Sequence, residues 1–288
     1  MMRYKPMLAY PVSTKPIDYD KPVFLQPKLD GVRCVIQADR DFPGTNLASV
    51  TVKAYSRTGK EWKNIDHILK QLRPFFVSFP DVILDGELYN HDLKDDFEQI
   101  ISLVRRQKPD DIDMLESAEM VQFHCYDIID ETMEFNDRFM WLQEFVPITN
   151  CIRHVSTCTA LDEDFAKEMH QHNLKLGYEG SILRTNDVYK CGRSWSLRKF
   201  KDFHDAEANI TGWVEGKGKR KGTIGKFIAE DKDGVMFGMP VMDKFKYLQD
   251  NFEEMKTWVG EVATFTYFER TKAGSYRHPL FKAIRDYE

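Results

Sequence analysis

Lysines, carboxylates and a glutamine recur in this 288-residue chain at the two-residue spacing that puts side chains on one face of a strand. Gln26 and Lys28 share a face just before an Asp30-Gly31 turn. Asp85 and Glu87 flank Gly86 at the end of an apolar run, and Lys199 and Lys201 share a face in SLRKFKDF. Charged groups at the ends of buried strands are costly unless they are paired or occupy a site. Each alone reads as a strand-end salt bridge or a snorkelling lysine. Their order along the chain says more. Residues 28–33 read KLDGVR, 55–60 YSRTGK, 85–87 DGE, 124–128 HCYDI, 179–184 EGSILR and 199–201 KFK. Together they supply a lysine nucleophile, further cations for phosphates, carboxylates for a metal and an aromatic for a base. That is the inventory for attack on a nucleotide phosphate.

The elements that must position these groups alternate irregularly between strand and helix. KPVFLQPKLDGVRCVIQ reads as two strands around a turn, VTVKAYSRTGKEW as a strand ending in a glycine turn, and DVILDGELYN as a buried strand. Ile65, Ile68, Leu69 and Leu72 lie at helical spacing, with Pro74 expected to stop that helix. DDFEQIISLVRRQ, NDRFMWLQEFV and DEDFAKEMHQHNLK read as further helices, their Met, Phe and Trp residues as core, and MVQFHCYDIID, YEGSILRT and SLRKFKDF as strands. Beyond Phe203 come short strands with glycine-rich turns, one helix in MDKFKYLQDNFEEM, and more strand. This pattern suits a small barrel of the OB type and places a domain boundary near residue 204.

Composition narrows the class. No window approaches the roughly 18 to 20 uninterrupted apolar residues of a membrane-spanning helix, and MMRYKPMLAY lacks the apolar core of a signal peptide, so no membrane is expected and the cytoplasm is the expected location. Cys34, Cys125, Cys151, Cys158 and Cys191 are odd in number, dispersed and without a CxxC pair; they read as buried thiols. His67, His91 and His124 show no ligand spacing. The net charge of -5 argues against a uniformly basic nucleic-acid binder. The deficit is local, however. Residues 205–288 carry 14 Lys+Arg and 14 Asp+Glu, so all of it lies in residues 1–204, partly in the clusters at 92–98 and 110–119, read as solvated surface. In EGKGKRKGTIGK, Lys217, Lys219, Arg220 and Lys221 sit among glycines, where backbone and cations can approach phosphates.

KxDGxR, SRxG, DGE, an aromatic-Asp strand, EGxxxR and KxK in this order resemble the covalent nucleotidyltransferases, specifically the ATP-dependent DNA ligases of compact bacteriophage type, from about Gln26 to Asp286. The resemblance implies an α+β chain: an adenylylation (nucleotidyltransferase, ATP-grasp-like) domain of antiparallel sheets with flanking helices over residues 1–204, then a small β-barrel OB-fold domain over residues 205–288. It makes Lys28 the nucleophile that takes AMP as a phosphoramidate. A free lysine of pKa about 10.4 is neutral in only roughly one molecule in 2,500 at pH 7, and the cations Arg33, Lys199 and Lys201 would lower that pKa.

The resemblance further assigns Asp30, Glu87 and Glu179 to ribose and to magnesium or manganese, Tyr126 to adenine, and Gln26 to the amino edge of the base. Lys199 and Lys201 would hold the α-phosphate, and Arg33, Arg57 and Arg184 would serve ribose and DNA phosphates. Arg285 and Asp286 would orient the pyrophosphate leaving group; Tyr287 stands where the family often has lysine. The implied activity is sealing of nicks in duplex DNA by a monomer using ATP. NAD is not expected as the donor, since only 27 residues precede Lys28. An RNA ligase or mRNA-capping guanylyltransferase is the alternative within this chemistry, and a noncatalytic nucleic-acid clamp the alternative outside it.

Overall fold

The computed structural model describes residues 2–39, 50–271 and 274–285, and the chain divides into two compact units, Met1–Phe200 and Lys201–Glu288. It is a mixed α+β protein. Two five-stranded sheets build the first unit. One has the order Met7–Pro11, Gly192–Phe200, Gly180–Thr185, Val23–Lys28, Cys158–Ala160; the other runs Val52–Tyr55, Val32–Ala38, Ile83–Tyr89, Gln122–Ile128, Ile152–His154. Each departs from the expected antiparallel pattern at one edge, where Met7–Pro11 and Ile152–His154 pair in parallel with their neighbours. Parallel neighbours need a long crossover, and helix Phe135–Phe145 supplies the one between Gln122–Ile128 and Ile152–His154.

The largest core lies on the side of the second sheet that carries Cys34, Ile36, Leu84 and Cys125, against Ile68, Leu72 and Phe76 of helix Asp66–Ser78. Pro74 does not stop this helix. The chain stays helical to Ser78 because Leu72, Phe75 and Phe76 remain buried, which offsets the missing N–H of a mid-helix proline. The acidic stretch after Asp110 is not plain solvated surface either. It forms helix Asp111–Met120 with a capping box: Asp113 N donates to Asp110 Oδ1 at 2.8 Å, and Asp110 N donates to Asp113 Oδ2 at 3.2 Å. Asp113 is buried and paired with Arg106. The D-x-x-D spacing carried that signal. Met140, Ile112 and Leu115 lie exposed on helices, so not every apolar helical residue is core. Of the cysteines, Cys34, Cys125 and Cys151 are buried, Cys158 is half-buried, and Cys191 is exposed.

The second unit holds an antiparallel sheet in the order Met236–Pro240, Ile224–Glu230, His204–Glu215, Val262–Tyr267, Leu280–Ile284, plus a small ribbon of Glu269–Arg270 and Tyr276–Arg277. The expected small OB barrel takes the form of this five-stranded sheet, whose two end strands share no ladder among the described residues. The single expected helix is two, Phe245–Asp250 and Phe252–Lys256, broken at Asn251.

Gly86, at the centre of the DGE motif, is dictated by packing. A Cβ there would lie 2.5 Å from the His124 carbonyl oxygen and 2.5 Å from the Phe123 ring. We expect Gly86→Ala to destabilise the protein by about 1–3 kcal/mol, the usual cost of overpacking, read as a lowered midpoint in denaturant.

Candidate active site

Strand register collects the polar groups between the two sheets of the first unit. Lys28 stands opposite Gly180, Gln26 opposite Ile182, and Lys199 opposite Ile182 on its other side. Opposed residues share a face, so Gln26, Lys28, Ile182, Arg184 and Lys199 project together. Ile182, flanked by two polar site residues, was not singled out from sequence. In the second sheet Arg33 opposes Glu87, Glu87 opposes His124, and Asp85 opposes Asp127. Gly86, however, opposes Cys125. One step on the first strand is thus matched by two on the second, leaving Tyr126 as a bulge. Strict alternation would send Tyr126 and Asp127 to opposite faces; the bulge turns both toward the site.

Lys28 ends its strand half-buried and forms an ion pair with the carboxylate of Glu179, which is 8% exposed. The backbone reinforces the pairing, since Glu179 N donates to Lys28 O at 3.0 Å. Burial lowers the pKa of Lys199, and the neighbouring charges of Lys28 and Arg193 lower it further. The two lysines of one face therefore sense each other. Burial pushes the Glu87 carboxyl up to about 7, against the opposing pull of Arg33 and Lys28. Tyr126 Oη donates to Glu87 Oε2 at 3.3 Å, and the Tyr126 ring lies 5.1 Å from Arg33 Cζ and 5.4 Å from Arg184 Cζ.

Several expected ligand contacts turn out to be committed within the protein. Arg33 holds the fully buried Asp85 with both arms of its fork, Nε donating to Oδ1 at 2.6 Å and Nη2 to Oδ2. Arg184, expected at ribose or DNA phosphates, is 4% exposed and engaged internally: its Nη1 donates to Asp127 Oδ2 at 2.7 Å and its Nε to Gln26 Oε1 at 2.8 Å. The amide nitrogen of Gln26 donates to Thr157 Oγ1 at 2.9 Å and Tyr126 O at 3.3 Å, so Gln26 is buried with both ends bonded. Sequence reading missed Arg138 and Tyr189. Arg138, 1% exposed, donates through Nε to Asp127 Oδ1 at 2.8 Å. Its spacing from Phe135 and Leu142 along the buried side of one helix was the available signal. Tyr189 Oη donates to Asp85 Oδ2 at 2.7 Å.

Asp30 is half-buried two residues beyond Lys28. Arg57 is exposed on a turn closed by Gly59 N donating to Ser56 O at 2.9 Å, with Gly59 at φ +86°. The Lys199 strand ends at Phe200, so Lys201 does not continue its face; it begins the second unit, with Nζ 4.6 Å from the Phe268 ring centre. Lys217, Lys219 and Lys221 are exposed around a tight turn, whereas Arg220 is half-buried with Nη1 donating to Val241 O at 3.1 Å. Arg285 pairs with Glu207. Asp286 and Tyr287 lie outside the described residues.

Among the described residues no three His, Cys, Asp or Glu side chains are grouped closely enough to hold a metal ion alone. Asp30, Glu87 and Glu179 thus make no ready cage. Burial raises the Glu87 pKa even with Arg33 and Lys28 beside it, so its charged form would gain from a further cation. That suits a magnesium-like ion that keeps waters and takes phosphate oxygens.

Comparison with known proteins bears on the family and the fold. The family model for the ATP dependent DNA ligase domain matches residues 6–201, and that for the DNA ligase OB-like domain matches residues 215–285. A DNA ligase of African swine fever virus (isolate Pig/Kenya/KEN-50/1950) is 31% identical over 211 residues, covering 69% of this chain and 46% of the viral protein. The chain therefore spans about half the length of the curated relatives it matches. A structure from work on DNA binding by Lig E DNA ligases superposes with a TM-score of 0.75 at 24% identity, covering 99% of this chain and 100% of the other. The bacteriophage T7 ATP-dependent DNA ligase in complex with ATP gives 0.55 at 18% identity, covering 98% and 99%. At these identities the structures establish a common fold.

The Glu87 environment makes a pH prediction. Its pKa in the fold, about 7, lies above the ordinary carboxylate value, so the unfolded chain ionises first as pH rises. Stability associated with this group is complete below about pH 4.5 and is lost as pH rises toward 7. The melting temperature of Glu87→Gln should therefore gain on that of the wild type between about pH 5 and pH 7.5. A constant difference across that range would contradict the assignment.

Proposed function

The chain belongs to the ATP-dependent DNA ligases, and on that premise we propose that it seals nicks in duplex DNA with ATP as the AMP donor. The observation that carries the reading is the single face on which Lys28, paired with Glu179, lies near Lys199 and across from Glu87 and Tyr126. In the first step Lys28 Nζ attacks the α-phosphorus of ATP, forms a phosphoramidate and expels pyrophosphate. The 5′-phosphate of the nick then takes AMP from Lys28, and the 3′-hydroxyl displaces AMP to close the phosphodiester.

The amine must be neutral to attack, so its ion pair with Glu179 has to open. The like charge of Lys199 favours the neutral amine and faces the charge that builds on the α-phosphate. Tyr126 supplies the aromatic for adenine, its ring braced by Arg33 and Arg184. Gln26 is better read as a brace for Arg184 than as a free reader of the base edge. Glu87 and Glu179, with Asp30 close by in sequence, would hold a magnesium or manganese ion; when bound it neutralises phosphate charge. The division of labour proposed is adenylylation by residues 1–204 and duplex contact and closure by the OB-like residues 205–288. In the latter, Lys217, Lys219 and Lys221 offer exposed cations and Arg285 is reserved for the leaving group. We read the active species as a monomer.

Incubation with ATP and magnesium should add one AMP to the intact mass, and Lys28→Ala should abolish both the adduct and sealing of a nicked duplex. Transfer from α-labelled GTP instead of ATP, or sealing restricted to RNA ends, would move the chain to a guanylyltransferase or RNA ligase. Affinity for nicked DNA should fall steeply between about 50 and 200 mM salt, as for any protein that neutralises several phosphates.

A further inference from the structure

A second basic stretch matches the glycine-rich hairpin. Residues 190–201, KCGRSWSLRKFK, hold five Lys or Arg and no acid in a chain of net charge -5. The fold gives part of this stretch an unusual surface. Edge strand Met7–Pro11 pairs Ala9 with Ser194 but Tyr10 with Arg198, so residues 195–197 stand outside the regular ladder. Trp195 lies within that irregularity, 43% exposed. Its ring stacks on Tyr10 with centres 3.7 Å apart and planes 8° from parallel. Cations lie against both rings: Arg193 Cζ is 5.3 Å from the Tyr10 centre and Arg198 Cζ 4.9 Å from that of Trp195.

The two arginines differ in role. Arg198 is 4% exposed and donates to Trp195 O at 2.5 Å and Lys15 O at 2.8 Å, which fastens the stack to the body of the unit. Arg193 is exposed, and its Nη1 donates to Ala9 O at 2.8 Å. A guanidinium has five N–H donors, and stacking on an aromatic face restricts its rotamers without neutralising its charge. An exposed cation held this way loses little entropy on meeting an anion. Lys15, also exposed, adds a charge 6.0 Å from the Trp195 ring centre. The surface also connects electrostatically to the site, since Arg193 is one of the charges that Lys199 senses.

We infer that Tyr10, Trp195 and Arg193 form a rigid cleat for a backbone phosphate of duplex DNA on the first unit, separate from the glycine-rich hairpin of the second. The cleat rests on the ligase reading, because it supplies grip on the nicked substrate. Tyr10 and Trp195 present the guanidinium, and Arg193 bonds the phosphate oxygens without reading sequence.

Fluorescence anisotropy of the full chain with a labelled nicked duplex tests this, with intact mass after ATP treatment measured in parallel. Arg193→Gln should bind about tenfold more weakly, and its plot of log affinity against log salt should be shallower by about 0.9, one phosphate contact. Trp195→Ala keeps every charge and should still weaken binding several-fold, because Arg193 loses its support. Both variants should acquire AMP as the wild type does. Wild-type affinity and salt slope in Arg193→Gln would overturn the cleat even if AMP attaches normally. Unaltered binding by Trp195→Ala would overturn the aromatic presentation. Failure of the wild type itself to acquire AMP would instead overturn the ligase reading.

Discussion

A carboxylate sealed from solvent stays ionised only if cations are buried with it, and two such carboxylates brace the first unit. Asp127, with no exposure, accepts from Arg138 on one side and Arg184 on the other. Arg184 belongs to the first sheet and also holds Gln26, two residues before Lys28, so the bond to Asp127 ties the Lys28 strand to the opposite sheet. Asp85 repeats the device. Arg33 grips it bidentately, Tyr189 donates to it, and Tyr189 Oη accepts from Met7 N at 2.7 Å on the edge strand of the first sheet. Removing one partner of such a pair leaves a buried charge uncompensated, at a cost of about 3–5 kcal/mol. Arginine suits the task because its planar fork meets both carboxylate oxygens and never loses its proton.

These braces divide the charged motif residues into two kinds. Arg33, Asp85, Asp127, Arg184 and the uncharged Gln26 are consumed in holding the sheets, with their hydrogen bonds directed inward. Lys28, Glu87 and Lys199 are left half-buried, Lys28 paired with the buried Glu179, and the charge of Lys28 acts on both Glu87 and Lys199. The bulge at Tyr126 is the geometric hinge between the two kinds, aiming Tyr126 at Glu87 and Asp127 at the arginines. A site of this type needs a rigid frame, because a nucleophile and a carboxylate placed an ångström wrong would lose most of their effect.

Charge follows the same economy. Part of the acid of residues 1–204 is drawn into ion pairs, the buried Asp113 with the exposed Arg106 and the buried Asp127 with its two buried arginines. The average of -5 is therefore a poor guide to any one surface. Residues 190–201 and the turn around Lys217 to Lys221 are local concentrations of positive charge, and local potential is what a polyanion meets first.

Motif residue types, their order and the alternation of apolar runs are local properties, so the candidate residues and the α+β class were legible along the chain. Lys28, Glu87 and Glu179 could be named without a structure, as could most strands and helices near them. Tertiary structure decided which cations are offered and which are committed, since that depends on partners more than a hundred residues away, such as Gln26 for Arg184. It also decided what alternation and propensity misjudged: the bulge that turns Asp127 inward, the helix that runs through Pro74, and the strand that stops before Lys201. In each case a long-range pairing or a buried face outweighed the local preference, and neither can be read from neighbours along the chain.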